Sequence, residues 1–204
     1  NKLKKSFINF ESILKILKKE KNSGKIIGGY YPYNYEIDAI NILEKFEKYK
    51  YKISLPKVKK NYQMEFFDWS SKDPLTINKY GIPEPISNKV TYPNILLVPM
   101  VAFDKYFNRI GYGGGFYDRY IKKIKKKNKK ILTIGLAYSF QKVKEISVSK
   151  HDIKLDFILT EKNWMRILFL GDIVGISGCS KIMNNLLNQI KKNNIDFVIV
   201  NAEN

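Results

Sequence analysis

Apolar positions along this chain switch between a helical and an alternating period, and the switches mark out successive helices and strands. Residues 6–20 set Phe7, Phe10, Ile13, Leu14 and Leu17 at helical spacing with lysines between them, and Gly24 ends the run. Lys25–Tyr31 (KIIGGYY) predicts a strand stopped by Pro32. Glu36–Tyr49 predicts a helix with Ile37, Ile40 and Leu43–Phe46 on one face. Tyr51–Leu55 predicts a strand stopped by Pro56, and Tyr62–Trp69 a second one with aromatic alternation. Residues 70–93 hold four prolines and read as a long loop. Asn94–Val98 is a short continuous apolar strand, the kind found where both faces of a sheet are covered. A polar, Gly-rich loop over residues 104–115 leads into a helix, Phe116–Lys127, followed by strands Ile131–Ala137 and Asp156–Leu159. Strands alternating with helices predict an α/β fold, a largely parallel sheet flanked by helices in a Rossmann-like three-layer arrangement. Ligands of such sheets bind beyond the carboxyl ends of the strands, and the Gly-rich loop follows Asn94–Val98 on that edge.

Composition adds bounds. The 204 residues are 44% hydrophobic, enough for one full domain and a small extra piece. The formal net charge of +18 raises a nucleic-acid reading. Nearly all of that charge is lysine; the only arginines are Arg109, Arg119 and Arg166. Base readout and bidentate phosphate clamps favour arginine, so the composition argues against a nucleic-acid partner and for a general field that attracts small anions. Lys122–Lys130 carries seven lysines in nine residues, which serves either a polyanion patch or a solvated helix end suited to the dipole. The single cysteine, Cys179, forms no internal disulfide, and a reducing, cytoplasmic location is expected. No run of about 18 uncharged apolar residues exists, so no membrane span is expected. The sequence opens on Asn1 without a leader pattern, and the true N-terminus is expected further upstream. A monomer is expected.

The most informative segment is Arg109–Tyr120, RIGYGGGFYDRY. Gly111, Gly113, Gly114 and Gly115 place four glycines in five positions. Glycine reaches positive φ cheaply, and successive N–H groups can turn inward as an anion nest just ahead of a helix N-terminus. Arg109 at the entrance is a suitable fork donor for phosphate oxygens, and Asp118 in the first helical turn could hold a magnesium ion near them. The loop lacks the Gly-Lys-Ser/Thr ending of a Walker A motif, and Phe116 stands where G-x-G-x-x-G would need its last glycine. The spacing alone fits a tight structural turn equally well.

Seven segments in one collinear order resemble the 5-formyltetrahydrofolate cyclo-ligase family, also called methenyltetrahydrofolate synthetases. Val98–Tyr120 (VPMVAFDKYFNRIGYGGGFYDRY) is similar to the family signature V-P-G-x-A-F-D followed by R-x-G-Y-G-G-G-Y-Y-D-R, with Met100 and Phe116 as departures. Tyr30–Asp38 (YYPYNYEID), Ile53–Pro56 (ISLP), Met64–Phe66 and Tyr80–Pro85 (YGIPEP) resemble the earlier motifs. Gly135–Gln141 (GLAYSFQ) and His151–Asp156 (HDIKLD) resemble the closing ones, and the resemblance spans roughly residues 6–161. It implies a ligase of one-carbon metabolism that uses ATP and Mg2+ to convert 5-formyltetrahydrofolate into 5,10-methenyltetrahydrofolate, ADP and phosphate. The γ-phosphoryl group would pass to the formyl oxygen, and a ring nitrogen would then close on the activated carbon. It also implies residue roles. Arg109, Ile110, Gly111, Tyr112, Gly113, Gly114, Gly115, Phe116 and Tyr117 would cradle ATP, with Arg109 and Tyr117 catalytic. Glu36 would accept hydrogen bonds from the pterin, and Tyr30, Phe66, Tyr112 and Tyr117 would line the folate, although aromatics so placed also serve as core. Asp118 and Asp152 look like the magnesium acids. His151 serves a loop cap or the site equally. The family opens with a basic helix that reaches ATP, and Lys2, Lys4 and Lys5 are the residues that could stand in for it.

After Trp164 the pattern changes. Met165–Asn204 reads as strand, Gly-Asp loop, amphipathic helix, strand and Asn-Ala-Glu-Asn, a β-α-β fragment separate from a first domain over residues 1–162. It resembles the opening of a metallophosphoesterase family related to 2′,3′-cyclic nucleotide phosphodiesterases. That resemblance makes Asp172, Glu203 and Asn204 part of an incomplete second metal site, since the later ligands are absent. Two alternative functions follow: a fusion protein whose C-terminal part is a metal-dependent phosphodiesterase, or a basic protein binding nucleic acid in a salt-sensitive, ATP-independent way.

Overall fold

The computed structural model describes residues 8–60, 62–126 and 130–162, and beyond them residues 167–170, 180, 182, 185–190 and 197–200. The chain falls into two compact units, Asn1–Lys162 and Asn163–Asn204. The first unit opens with helix α1 (Phe10–Lys19), strand β1 (Ile26–Gly28), helix α2 (Ile40–Lys48) and strands β2 (Lys52–Val58) and β3 (Met64–Trp69). Short strands β4 (Leu75–Ile77), β5 (Pro83–Pro85) and β6 (Val90–Thr91) precede β7 (Ile95–Pro99). Then come β8 (Ala102–Phe103), β9 (Arg109–Ile110), helix α3 (Phe116–Lys126), β10 (Leu132–Ala137), a 3-10 turn at Ser139–Gln141 and β11 (Phe157–Thr160).

Among the described residues the main sheet has seven strands in the order β11-β10-β7-β1-β2-β3-β6. From β11 to β2 neighbouring strands are parallel, while β3 and β6 add an antiparallel edge. Strand β7 shows why the molecule has three layers. Its alternate residues Ile95 and Leu97 pack with Phe10, Ile13 and Leu17 of α1 and Leu43 and Phe46 of α2. Leu96 and Val98 face the other way, with Tyr120, Ile121 and Ile124 of α3. A two-residue period in the strand thus meets a 3.6-residue period in the helices on both sides. Each such aliphatic side chain stabilises the fold by about 2 kcal/mol as an upper figure.

Three details depart from the sequence expectation. Helix α2 starts at Ile40, not Glu36. Asp38 accepts the Ile40 amide at 2.9 Å and Glu36 accepts the Tyr33 amide at 2.9 Å. These short side-chain bonds compete with helix and leave residues 29–39 as a loop. Strand β2 runs through Pro56, which pairs with Phe66. The Ser54 carbonyl accepts from Gly29, so two residues on, Pro56 turns its missing N–H to the same side, where β1 has already ended. Residues 70–93 are not one loop: β4 and β5 form a hairpin and β6 joins the sheet. Met100, the departure from the signature glycine, is 2% exposed and its methyl group lies against the Cα of Gly135. A strand glycine supplies the room that Met100 occupies.

Tyr120 packs its ring 4.9 Å from that of Phe66, and its buried hydroxyl has no hydrogen-bond partner among the described residues. Burial, then Tyr92 and Glu65, push its pKa up. An unpaired buried hydroxyl costs desolvation, so Tyr120→Phe should raise unfolding stability by about 1 kcal/mol in urea titration; a loss would show a partner.

In the second unit β12 (Ile167–Leu170) and β13 (Phe197–Val200) pair in parallel, and residues 185–190 between them are helical. Among the described residues no helix is long and apolar enough to cross a membrane.

Candidate active site

Three connections leave the carboxyl ends of neighbouring strands: residues 29–39 after β1, residues 100–115 after β7 and the 3-10 turn after β10. This is the edge where parallel sheets bind ligands. The second connection is the most elaborate. Strands β8 and β9 form a short ribbon, and buried Asp104 closes its turn. Its carboxylate accepts from the Tyr106 and Asn108 amides, the Asn108 side chain and the Ile146 amide. Burial raises the Asp104 pKa, but these donors outweigh it and hold the carboxyl below its ordinary value.

The ribbon delivers the Gly-rich bend. Gly113 and Gly115 have positive φ, +82° and +59°. A side chain built at Gly111 or Gly113 would meet no atom within 4 Å. The bend is therefore open at Gly111 and Gly113, while Gly114 and Gly115 lie against Phe116 and Arg119; it stands directly before α3, whose first amides have no intrahelical acceptor. These are the elements an anion nest requires.

Arg109 departs from the role the sequence suggested. Its side chain is only 6% exposed; Nη2 pairs with Asp118 Oδ1 at 3.0 Å and Nη1 donates to the Ile153 carbonyl at 2.9 Å. The Ile153 amide also donates to Asp118 Oδ1, at 3.0 Å. A partly buried guanidinium so committed fastens three segments together and does not present a fork to solvent. Among the described residues Asp118 Oδ2 takes no bond. Asp152, beside Ile153 in sequence, is exposed and uses Oδ2 on the Ser149 amide. Each acid keeps an oxygen available. Mg2+ usually takes one or two carboxylates and fills its shell with water and phosphate. His151 is exposed, and its amide donates to Ser149 Oγ.

A second cluster forms around Glu36. Desolvation raises its pKa to about 7, against the opposing bond from the Tyr33 amide. Tyr117 has a partly exposed ring and a desolvated hydroxyl; burial and then Glu36 push its pKa up, with Arg109 opposing. Tyr30 is likewise raised, by burial and then by Glu36. Burial and then Glu36 also raise Tyr112. One carboxylate therefore acts on Tyr30, Tyr112 and Tyr117, which gathers the first connection, the Gly-rich bend and the start of α3. Tyr33 and Tyr112, both exposed, meet edge to face at 5.8 Å.

Two aromatic expectations need correction. Phe66 is 0% exposed, locked between Tyr120 and the bare Cα of Gly28, and offers no ring face to a ligand. Tyr30 is 2% exposed and spends its hydroxyl on the Ile37 carbonyl at 2.9 Å. Tyr30 belongs to the core cluster shared with α1 and α2, and Phe66 to the cluster shared with α3. Ile110 ends β9 and Phe116 begins α3, so the two flank the bend. Sequence reasoning gave no role to Tyr33, Tyr138 and Glu161, although all three lie in or beside the motifs that resemble the family. Glu161 accepts from the amide and hydroxyl of Ser139 and so fixes the turn that carries Tyr138. Lys2, Lys4, Lys5, Cys179, Asp172, Glu203 and Asn204 lie outside the described residues. Among the described residues no group of three or more metal-binding side chains forms.

A family model described as the 5-formyltetrahydrofolate cyclo-ligase family matches residues 11–161. The chain belongs to that family. A cyclo-ligase of Haemophilus influenzae is 32% identical over 148 residues, 69% of this chain and 78% of its own length. A probable 5-formyltetrahydrofolate cyclo-ligase of Schizosaccharomyces pombe is 33% identical over 129 residues, 56% of this chain and 63% of its own. Among solved structures, a 5,10-methenyltetrahydrofolate synthetase of Aquifex aeolicus is 31% identical with a TM-score of 0.60, covering 76% of this chain and 78% of that one. A second from Mycoplasma pneumoniae shares the fold at 24% identity, TM-score 0.60, covering 79% and 90% respectively. The cyclo-ligase match ends where the first unit ends, and the second unit lies outside it.

Proposed function

We propose that the first unit catalyses the ATP-dependent cyclisation of 5-formyltetrahydrofolate to 5,10-methenyltetrahydrofolate. The observation that carries this reading is the open Gly-rich bend ahead of α3, placed beside the desolvated Glu36–Tyr117 pair in a chain of the cyclo-ligase family. In the reaction the formyl oxygen takes the γ-phosphoryl group and ADP departs. The N10 amine then attacks the formyl carbon, the ring closes, phosphate leaves and N10 loses its proton. Little covalent work falls to the protein; positioning and charge stabilisation supply the rate. The amides of the bend and of α3 would hold the phosphates. Asp118 and Asp152 would hold Mg2+, which supplies neutralising charge to the β- and γ-phosphates. Glu36 would accept hydrogen bonds from the pterin. Tyr117, with its pKa pushed up, keeps its proton at neutral pH and can donate a hydrogen bond to the reacting end, but cannot act as a base.

Mixing full-length protein with ATP, magnesium and 5-formyltetrahydrofolate should produce the absorbance of methenyltetrahydrofolate, dependent on every component. No growth with folded protein would refute the reading. For the second unit the proposal is narrower. Its parallel β12–β13 pair is what the opening of a metallophosphoesterase would need, with Asp172 and Glu203–Asn204 following those strands in sequence. A monomer in the cytoplasm is the setting this reading expects.

A further inference from the structure

Arg119 lies one turn into α3, exposed, yet its guanidinium is not left to solvent. Nη2 donates to the Gly114 carbonyl. Nε donates to the Tyr62 carbonyl at 3.0 Å, in the turn between β2 and β3. The same guanidinium stands 5.7 Å from the ring centres of both Tyr62 and Phe116, which are 6.1 Å from each other. A Cβ on Gly115 would come within 2.9 Å of Nη1, so the side chain lies directly against the left-handed residue of the bend. One arginine ties together the Gly-rich bend, the start of α3 and a turn some 57 positions away in sequence.

We infer that Arg119 is a positioning residue for the nucleotide, and that the β2–β3 turn takes part in ATP affinity through it. The inference rests on the reading that the bend holds the phosphates. Glycine-rich backbone loses the most freedom on ordering, so an unheld bend would spend that entropy each time it bound. Arg119 spends it beforehand. By drawing the Gly114 carbonyl toward itself, it fixes the plane of the Gly114–Gly115 peptide. In a planar trans peptide the N–H points opposite to the carbonyl, so the Gly115 amide is aimed away from Arg119. The fork geometry matters here, because two carbonyls from separate segments are reached by two nitrogens of one rigid plane. A lysine ammonium would keep the charge but lose that fork.

The test measures kcat, KM for ATP and KM for 5-formyltetrahydrofolate, with the dissociation constant of magnesium-ADP by calorimetry and a melting temperature for each full-length variant. In Arg119→Ala the ATP KM and the ADP dissociation constant should rise about tenfold, the worth of a lost charged hydrogen bond, while the folate KM stays near wild type. Arg119→Lys should retain most of that defect. A Lys variant that binds ADP as wild type does would overturn the inference in favour of simple charge attraction. So would a rise of both KM values in step with a fall in melting temperature, which marks a merely structural residue. If wild type forms no methenyltetrahydrofolate yet binds ADP, and Arg119→Ala weakens that binding, the folate reading falls and the positioning role stands.

Discussion

Arg109→Ala is expected to lower turnover about a thousandfold and to cost about 3 kcal/mol of stability. The two losses share one origin. Removing the guanidinium leaves Asp118, whose side chain is 21% exposed, without its ion pair, and leaves the Ile153 carbonyl without its donor. An uncompensated, partly buried carboxylate is costly, and the segment carrying Asp152 keeps only the Ile153 amide bond to Asp118 as its tie to α3. The acids proposed for Mg2+ would then be held by one bond where the wild type has three, and a small displacement of positioning groups is enough for a large loss of rate. Arg109→Lys can restore the charge opposite Asp118 but reaches only one of the two partners, so its stability should lie between the others and its rate should stay low. Steady-state kinetics with a urea melt of each protein checks this. A wild-type rate in Arg109→Ala would remove Arg109 from the working site.

Glu36→Gln should cut kcat/KM for 5-formyltetrahydrofolate about a hundredfold, mostly through KM, and flatten its pH dependence. Desolvation lifts the folded pKa of Glu36 from 4.5 to about 7. A carboxyl raised in the folded state holds its proton more tightly there than in the unfolded chain. The stability this contributes is fully present below about pH 4.5 and is lost as pH rises through about 7. Ionised Glu36 is thus a strained acceptor at pH 8, and pterin N–H donors relieve it. Wild-type folate KM should fall between pH 6 and pH 8, about one unit either side of the folded pKa, and the variant should show no such slope. Without substrate, the variant should melt above wild type at pH 8, with the gap closing toward pH 5. A parallel pH slope in both proteins would assign the titration to another group.

These expectations differ from what the residues alone suggested, and the differences have a common physical source. Periodic elements were legible: Phe10, Ile13 and Leu17 show a helical stripe, and Ile95–Val98 shows a strand buried on both faces. The bend itself was legible, because four glycines in five positions ahead of a helix mark a turn, but the spacing alone did not separate an anion nest from a tight structural turn. Arg109 looked like a phosphate fork because one of its two partners, the Ile153 carbonyl, lies 44 positions away and no local rule reveals it. Phe66 stood as a ligand wall only through the family resemblance, and alternation, which marks the strand residues as aromatic, does not say which face a helix will cover. Glu36 looked helical until Asp38 and Glu36 itself took up amides that a helix would have used. Backbone competition of this kind turned it from a surface acid into a desolvated one.

The central claim, that the bend and the first turn of α3 receive the phosphates, is open to one direct measurement. Backbone amide resonances of isotopically labelled full-length protein would be followed while magnesium-ATP is added. The largest shifts should fall on Gly113–Asp118, with smaller ones at Ile153. Shifts confined to other parts of the chain, with these amides unmoved at saturation, would contradict the account.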